Sequence, residues 1–383
     1  MSTTITAERG FLPPEDPLIS LPEPFADWEQ AAHQLPKLLV SDQLRDTLSG
    51  LPPFPVEALG EDRRKLARAM SLLSYLGHAY VWGAAEPAAV LPARIAVPWH
   101  AVASRAGRPP VLSYASYSLE NWYRLDRRRG VECGNIALIQ NFLGGIDEEW
   151  FILVHVEIER HAAPGLAVLE EAQRAAAARE PEHLTRLLRE VHGSLDRIYA
   201  TMLRMPEHCD PYVYYHRVRP YIHGWKNHPD LPQGLIYEGV AEYGGAPQQF
   251  RGETGAQSTI VPALDAVLGV VHQPDELRVY LMEMRAYMPP EHRAFLAGLE
   301  ASPPVREFVQ IAGHARLREV YDACVARLED FRTLHLEYAA RYIFRQAQTD
   351  PKNPHAVGTG GTPFMQYLKK HRDETAAHRL GGA

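Results

Sequence analysis

The longest helical signal in this sequence runs from residue 315 to residue 346, and it limits the folds that the chain can adopt. Its apolar positions recur at intervals of three and four residues, at Val320, Cys324, Leu328, Phe331, Leu334, Tyr338 and Tyr342. This spacing places one apolar stripe along a single long helix. Segments with the strict alternation of a β-strand are nearly absent from the chain. The sequence therefore predicts an all-α fold.

The part of the chain before residue 140 shows one clear helix and one extended segment. Residues 61–82 carry apolar side chains three and four apart, which predicts an amphipathic helix. The helical pattern weakens between residues 98 and 110. Residues 111–117 are then a candidate for a short strand.

Helical patterns dominate the rest of the chain. Residues 150–158 are strongly apolar and open a long helical region, which we expect to be broken at Pro164 and again near Pro181. Residues 275–288 and 291–299 form two helical patterns that are separated by two adjacent prolines. Proline and the residue before it interrupt a helix, so this point is a helix stop and restart.

A chain of 383 residues suits two domains, or one large helical body with a smaller cap. The best candidate boundary is Gly144 and Gly145, which precede the acidic residues 147–149. We therefore predict a smaller, mainly helical N-terminal cap domain over residues 1–145. Residues 146–383 are expected to form the large helical domain.

Composition limits the partners of the protein. Hydrophobic residues make up 46% and charged residues 23% of the chain, and the net charge is −7. This balance argues against a nucleic-acid or anionic-membrane partner and favours small-molecule ligands. We expect no membrane span, because no apolar run approaches the length of about 18 residues that a span requires. The N-terminus has no basic segment followed by an apolar one, so we also expect no secretory signal.

Cysteine usage points to a reducing compartment. The chain has three cysteines, Cys133, Cys209 and Cys324, which are too few and too scattered for a disulfide framework or a thiolate metal cluster. We therefore expect a cytoplasmic protein.

Among 18 histidines, position has to decide which could bind a metal, and His335 stands out. It lies on or beside the apolar stripe of the longest helix, where a histidine could ligate the iron of a flat macrocycle such as haem. Taken alone, such a histidine is more often a core residue. Arg332 lies on the same face and could pair with a haem propionate, with a buried carboxylate, or in an ordinary surface ion pair.

Other segments carry candidate ligand-binding residues. His155 interrupts an apolar run, and a titratable group in such a run needs a partner or a role, although core satisfaction is the commoner case. Residues 210–226 are dense in aromatic residues and arginine, which is typical of a pocket for a planar carboxylate ligand and also of core packing. The glycine-rich residues 358–362 are equally compatible with a lid and with a linker. Residues 252–258 supply small side chains and close backbone approach.

Several enzyme classes are disfavoured by the motifs of the chain. The sequence has no Gly-x-Ser-x-Gly elbow, no His-Glu-x-x-His zinc motif and no dinucleotide-binding fingerprint. Hydrolase and nicotinamide-dehydrogenase functions therefore have no support.

Together, ordered blocks of this sequence resemble the indoleamine 2,3-dioxygenase family from about residue 70 to about residue 370. The blocks are Ser74–Gly83, Leu91–Pro98, Phe151–Glu159, Arg219–Lys226, Gly234–Gly239, Gly252–Gly269, Arg285–Arg293, Val305–Val309, Leu317–Ile343 and Gly358–Thr362. The resemblance implies a small helical N-terminal domain that caps a large helical domain holding haem b.

The resemblance assigns the residues around the iron. It implies that His335 is the proximal iron ligand and that Arg332 lies near a haem propionate. Asp265 and Trp225 match neighbours on the proximal side, and Asp265 is expected to pair with Arg332.

The resemblance also implies a substrate pocket. Arg219 matches the arginine that binds the substrate carboxylate, and Tyr214 and Tyr215 fall where the family often has two phenylalanines. Phe151 and Tyr114 match positions around the indole ring.

Loops and one unusual histidine complete the pocket. Thr254 and Gly255 match the small-residue loop over the haem, and Thr359 matches the lid that closes on the bound amino acid. His155 stands where mammalian members have serine and the related tryptophan 2,3-dioxygenases have a histidine facing the indole nitrogen. With Tyr117, it makes this pocket more polar than the mammalian one. We expect His155, Arg219 and Thr359 to take part in catalysis.

The implied activity is cleavage of the indole 2,3-bond of L-tryptophan, or of a close indoleamine, with O2 to give N-formylkynurenine, the first step of the kynurenine pathway. Such an enzyme needs an electron donor to reduce its haem, and we expect a monomer. One alternative is a haem oxygenase of the same fold that acts on a substituted indole. Others are a non-catalytic haem protein that binds O2, and a helical scaffold without a cofactor.

Overall fold

The computed structural model describes residues 5–349, 359 and 365–381. Most of these residues are helical, which confirms the all-α prediction. Before residue 140, the described α-helices are α1 (Ala26–His33), α2 (Leu35–Leu38), α3 (Leu44–Ser49), α4 (Arg63–Trp82) and α5 (Ala93–Ala106).

The larger, C-terminal part is mostly helical where the structure describes it, apart from the largely irregular residues 223–259. Its α-helices are α6 (Ile146–Ala167), α7 (Leu169–Ala177), α8 (Pro181–Leu203), α9 (Pro211–Val213), α10 (Arg219–Ile222), α11 (Ile260–Leu268), α12 (Glu276–Met284), α13 (Pro290–Glu300), α14 (Val305–Ile311), α15 (Ala315–Ala339), α16 (Arg345–Thr349) and α17 (Met365–Ala376).

Tighter and wider helical turns connect these elements. The 3₁₀ turns are Val56–Leu59, Met205–Glu207, Ala241–Tyr243, Gly255–Gln257 and Arg285–Tyr287. The π-helical turns are Ala115–Leu119, Tyr214–Val218 and Ala340–Phe344.

The described strands are short and form two-stranded pairs. β1 (Val90–Leu91) pairs in parallel with β4 (Ile236–Tyr237), with Val90 opposite Ile236. β2 (Trp122–Arg124) pairs antiparallel with β3 (Ile136–Leu138), with Tyr123 opposite Ala137. The β1–β4 pair joins the N-terminal region to the segment that follows α10.

Helix α8 organises the C-terminal part. Its buried side chains recur at three- and four-residue spacing at Leu184, Leu188, Val191, Leu195 and Ile198. Both α6 and α15 pack along α8, rather than mainly against each other. A helix that is apolar on this face can hold two neighbours at once.

Two sequence-based expectations about helices are confirmed. The pattern over residues 61–82 corresponds to α4. The long pattern over residues 315–346 corresponds to α15, which continues through a π-helical turn into α16.

The expected break at Pro164 is wrong, because α6 continues to Ala167. The proline ring crowds the carbonyl of the preceding turn, and the next backbone donor has an acceptor on a neighbouring helix. The N–H of Gly165 donates to the Ser194 hydroxyl of α8 at 2.9 Å. A Cβ at Gly165 would lie 2.9 Å from the Ser194 Cβ, so the two helices approach closely at this point.

The expected strand over residues 111–117 is also wrong. Residues 111–114 have no regular structure except for one helical residue, Tyr114, and Ala115–Leu119 forms a π-helical turn. Every residue from 111 to 119 is buried. A segment buried on all sides gives no periodicity that separates a strand from a helix.

Buried apolar side chains form two clusters. One gathers most of its members from residues 12–156 and 222–287, and the other from residues 150–218 and 260–342. Helix α6 contributes to both clusters, so the domain boundary at residue 145 stays a prediction. No helix in the described ranges combines the length and apolarity needed to cross a membrane.

We expect Gly77→Ala in α4 to destabilise the fold. A Cβ at this position would lie 2.3 Å from Cζ3 of the buried Trp99 ring, so the free energy of unfolding should fall by about 1–3 kcal/mol. Urea denaturation measures this change. The control is Gly298→Ala in α13, where no atom outside the local backbone lies within 4 Å of the added Cβ and stability should rise by up to about 1 kcal/mol. Equal effects of the two variants would contradict the close packing at Gly77.

Candidate active site

The side chain of His335 on α15 is exposed, and charged groups of other residues lie near it. Its side chain is exposed, yet burial among protein atoms, followed by the charges of His155 and Arg332, lowers its pKa to about 4. The charge of His155 acts on His335, so the two side chains lie near each other. We call the space between His335 and His155 of α6 the central cleft. At neutral pH the His335 imidazole is uncharged, the form that ligates metals.

His155 faces the cleft from α6 and has one nitrogen already engaged. Its Nδ1 lies 2.7 Å from the Phe151 carbonyl oxygen. Burial lowers the pKa of His155, so the ring is neutral at pH 7. With the proton assigned to Nδ1, which donates to Phe151, Nε2 is left as a hydrogen-bond acceptor.

Aromatic rings surround His155. The Phe151 ring centroid lies 4.7 Å from that of His155 and 4.6 Å from that of Tyr214. Tyr114 makes an edge contact with His155 at 6.0 Å, and Tyr117 lies 6.4 Å from Phe151. The structure thus brings together Tyr114, Phe151, Tyr214 and His155. Such a wall suits a flat apolar ligand.

Tyr114 is held in place by residues that the sequence analysis did not identify. Its hydroxyl donates to Glu159 Oε1 at 2.9 Å, and Ser258 donates to the same oxygen at 2.8 Å. The Tyr114 N–H donates to the side-chain oxygen of Gln257 at 2.8 Å. Glu159 follows His155 by one helical turn within an apolar helix. This spacing could have identified Glu159 as a residue of the site.

Arg219 is buried at the end of the aromatic segment. Its side chain is 1% exposed, and its guanidinium lies 5.2 Å from the centroid of the Tyr215 ring. Burial lowers the pKa of Arg219 from its ordinary value, whereas Tyr214 and Tyr215 raise it. An arginine remains charged in proteins, so this position presents a positive charge inside the molecule.

Two glycines allow the segment that follows Arg219, residues 220–225, to pass close to residues 250–254. A Cβ at Gly224 would lie 2.2 Å from the backbone nitrogen of Gly252, and the reverse substitution is equally close. The Glu253 N–H donates to the Ile222 carbonyl at 3.0 Å. Only glycine permits this backbone approach.

Thr359 bridges these two segments. Its hydroxyl donates to the Glu253 carbonyl at 2.5 Å, and its own carbonyl lies 3.5 Å from the Gly224 nitrogen. Thr254 caps the 3₁₀ turn that begins at Gly255 by accepting from the Ala256 N–H. The remaining residues of the expected lid, 358 and 360–362, lie outside the described residues, so the lid itself stays a prediction.

A charged network lies behind His335. Arg332 Nη2 donates to Asp265 at 2.6 Å, and its Nη1 donates to Thr375 of α17 at 2.5 Å. Burial alone would raise the pKa of Asp265, but Arg332 and His272 together lower it. Asp265 is therefore ionised at neutral pH and forms a buried ion pair with Arg332.

Two histidines and a glutamate extend this network. Ligand atoms of His272, His371 and Glu374 lie within 4.8 Å of one another, a spacing that a metal ion could bridge. His272, however, already has Nδ1 2.7 Å from Glu374 and Nε2 3.4 Å from Asp265. The His272 and His371 rings stack in parallel at 3.8 Å. Hydrogen bonding explains this arrangement without a metal.

Trp225 occupies a different environment from the Arg332 network. Its ring lies 5.0 Å from that of His78 and 6.4 Å from that of Trp99, and it belongs to the N-terminal cluster of buried residues. Its expected place beside the haem stays a prediction.

The comparison with known proteins identifies the family. The family model described as indoleamine 2,3-dioxygenase matches residues 2–378. This chain belongs to the indoleamine 2,3-dioxygenase family. The resemblance drawn from the sequence is therefore confirmed over nearly the whole chain.

Relatives of this dioxygenase-family chain come from distant organisms. It is 36% identical to indoleamine 2,3-dioxygenase 1 of Rattus norvegicus and 35% identical to indoleamine 2,3-dioxygenase 2 of Homo sapiens; each alignment covers 97% of this chain and 93% of the relative. It is also 30% identical to a 6-hydroxytryptophan 2,3-dioxygenase of Fusarium equiseti, over 97% of this chain and 95% of the relative. One of these relatives is thus named for a substituted substrate.

We expect Arg332→Met to destabilise the protein and to loosen α17. The change leaves the Asp265 carboxylate without its ion pair and removes the donor to Thr375, which should cost about 3–5 kcal/mol. Denaturation gives the energy, and hydrogen exchange over residues 365–376 reports on α17. Arg327→Met on the same helix is the control, because its ion pairs with Asp196 and Asp330 are half-exposed and should contribute about 1 kcal/mol or less. Unchanged exchange in α17 after Arg332→Met would contradict the assignment.

Proposed function

We propose that this protein is a haem-dependent dioxygenase that cleaves the indole 2,3-bond of L-tryptophan, or of a close indoleamine, with O2 to give N-formylkynurenine. The observation that carries the proposal is the placement of two neutral histidines, His155 and His335, close to each other on two helices that both pack along α8. Family membership supports the same activity. An electron donor, a cytoplasmic location and a monomeric state belong to the proposal as predictions.

The residues of the cleft fit a haem b group. His335 offers a neutral imidazole with accessible surface, which is the donor that a proximal ligand requires. Arg332 lies one helical turn before His335 and supplies a positive charge on that side of the cleft. We assign His335 as the iron ligand and Arg332 as the residue near a propionate. Haem iron, when bound, supplies the binding and activation of O2.

The protein residues have the task of holding the substrate. Arg219 would bind the substrate carboxylate through its planar guanidinium. Phe151 and Tyr214 would pack on the indole ring, and His155 Nε2 would accept a hydrogen bond from the indole N–H. Thr359, which already joins the Arg219 and Glu253 segments, would help to keep water out. Both oxygen atoms enter the product, so no protein nucleophile is needed.

A substituted indole is the second candidate substrate. The Tyr117 hydroxyl is buried and has no hydrogen-bond partner within the described ranges. A buried hydroxyl without a partner is costly, and a polar substituent on the indole ring would satisfy it. A relative named as a 6-hydroxytryptophan 2,3-dioxygenase supports this alternative.

Turnover distinguishes these functions. Reduced, haem-loaded protein is incubated in air with L-tryptophan or with 6-hydroxytryptophan, and the formylkynurenine products are followed by absorbance and mass. Product from tryptophan supports the main proposal, and product from the hydroxylated substrate alone supports the second. Reversible O2 binding without product would indicate a non-catalytic haem protein instead.

We expect His335→Ala to lose stable haem binding or to retain haem without a nitrogen ligand, because it removes the accessible imidazole of the cleft. Soret absorbance and ferric spectra measure both outcomes. His192→Ala on α8 is the control, since His192 forms a partly exposed pair with Asp196. Unchanged spectra of the His335 variant would exclude it as the ligand.

We expect His155→Ser to relax discrimination against 1-methyltryptophan, because the methyl group removes the indole donor and collides with the imidazole. Protonation of His155 would remove its acceptor. Since burial lowers its pKa, activity should stay constant through neutral pH and fall only below the ordinary histidine range near 6.5. The serine variant should lack this acidic limb.

His161→Ser is the matched control for His155. His161 lies on the same helix, has a pKa that is also lowered by burial, and bonds to Thr201 of α8 instead of facing the cleft. If both variants alter substrate selectivity and the pH profile to the same extent, His155 acts only through packing.

A further inference from the structure

His78 of α4 is a fully buried histidine that the proposed mechanism does not use. Its Nδ1 lies 2.8 Å from the Tyr221 carbonyl oxygen, and the Leu112 N–H donates to its Nε2 at 2.9 Å. A carbonyl oxygen only accepts and a backbone N–H only donates, so the two bonds together require a neutral imidazole with its proton on Nδ1. Burial lowers the pKa of His78 to about 4, which favours this uncharged form at neutral pH.

The two backbone partners of His78 belong to segments that carry expected substrate contacts. We call residues 112–116 the wall segment, because it contains Tyr114, and residues 219–223 the arginine segment, because it begins at Arg219. Each segment contains one of the two partners. One imidazole ring therefore joins the backbone beside the expected carboxylate-binding residue to the backbone beside the expected indole wall.

Other side chains on the same side of α4 reinforce this connection. Ser71 donates to the Ser116 carbonyl at 3.1 Å, and the ring nitrogen of Trp82 donates to the His223 carbonyl at 2.9 Å. Ser71, His78 and Trp82 follow one another at helical spacing, which places them along one side of the helix. These three side chains make two hydrogen bonds to the wall segment and two to the arginine segment.

Aromatic rings fix the orientation of the His78 imidazole. The ring centroid of Trp225 lies 5.0 Å from that of His78, and the ring centroid of Trp99 lies 6.1 Å from it. Gly77 lets the Trp99 ring approach α4, since a Cβ there would lie 2.3 Å from this ring. A ring that is packed against neighbours and hydrogen-bonded at both nitrogens has one orientation. It therefore holds the two segments at a fixed separation.

The expected ligand-binding side chains are fixed on their own segments. The Tyr114 hydroxyl donates to Glu159 at 2.9 Å. The Arg219 side chain is 1% exposed, and its guanidinium lies 5.2 Å from the centroid of the Tyr215 ring. The separation of these two side chains therefore follows from the separation of the two backbones.

We infer that His78 is a positioning residue that sets the separation between Arg219 and Tyr114, and that it thereby selects the length of the chain between the indole ring and the carboxylate of the ligand. The inference rests on the proposed function, because it takes both residues to contact the substrate. A ligand whose carboxylate and ring are each bound by fixed groups reaches both only when its linker has the matching length.

A series of indole-3-alkanoates tests the inference by binding alone. Indole-3-propionate has the same number of carbon atoms between ring and carboxylate as tryptophan, indole-3-acetate has one fewer, and indole-3-butyrate has one more. Calorimetry on the ferric, haem-loaded wild type should show that the propionate binds at least about 10-fold more tightly than the other two. A wild type without this preference would overturn the inference even if no variant folds.

His78→Leu removes both hydrogen bonds of the ring, so the two segments lose their shared partner. The preference for indole-3-propionate should fall to about threefold or less. His78→Gln, whose amide offers one donor and one acceptor group, should retain part of the preference. An unchanged preference in His78→Leu would overturn the inference.

A further substitution and a ligand-free measurement extend this test. Trp82→Phe leaves His78 in place and removes another bond to the arginine segment, so it should lower the length preference in the same direction but to a smaller extent. In His78→Leu, the Leu112 amide should exchange its hydrogen at least about 10-fold faster, because its acceptor is lost. Unchanged exchange at Leu112 would contradict the positioning role.

Two buried residues serve as matched controls. Ser74 lies on the same helix, but its hydroxyl donates to the Met70 carbonyl of that helix at 2.6 Å. His292 of α13 is a buried histidine whose ring packs against Phe11 at 4.6 Å. Ser74→Ala and His292→Leu should lower stability without changing the length preference. If they change it as much as His78→Leu does, His78 acts only through general packing.

Product formation from L-tryptophan is assayed separately from binding. Length-selective binding that depends on His78, without any product, would reject the dioxygenase function alone. Product formation with a length preference that His78→Leu leaves unchanged would reject only the role of His78.

Discussion

The architecture of the site depends on the packing of one helix, α8, against two others. Because α6 and α15 both pack along its apolar side chains, they are held near each other without closing the space between them. His155 and His335 are carried on these two neighbours. The apolar packing on α8 therefore also determines how the two histidines are placed. A substitution on α8 would shift both His155 and His335 without contacting either side chain.

Burial determines the charge of each group in the cleft. It lowers the pKa values of both imidazoles, so a ligand meets neutral rings. Arg219 keeps its charge, because arginine is too basic to lose a proton in a protein. At pH 7 these residues thus combine neutral imidazoles with the cationic side chain of Arg219.

The sequence predicted those features that depend on helical period. The stripe of α15 predicted the helix that carries His335, and the apolar run around His155 predicted the mostly buried helix α6. Continuous burial over residues 111–119 removed any periodicity, so a π-helical turn was taken for a strand. Pro164 was misread because the compensating hydroxyl, Ser194, belongs to another helix. His78 was not singled out, because its hydrogen-bond partners, Leu112 and Tyr221, lie on other segments of the chain.

The three π-helical turns also have a consequence for how this family can change. Two flank the aromatic wall, and the third follows His335. Each such turn holds one residue more than an α-helix would accommodate. Deleting that residue would restore regular α-helix and rotate one side of the helix by about 100° relative to the other. Insertions and deletions of single residues are usually tolerated in loops. At Tyr214–Val218, deletion of one residue would rotate Tyr214 relative to Arg219, so the two side chains would no longer point the same way. Lineages that bind the same ligand are therefore expected to keep the length of this turn.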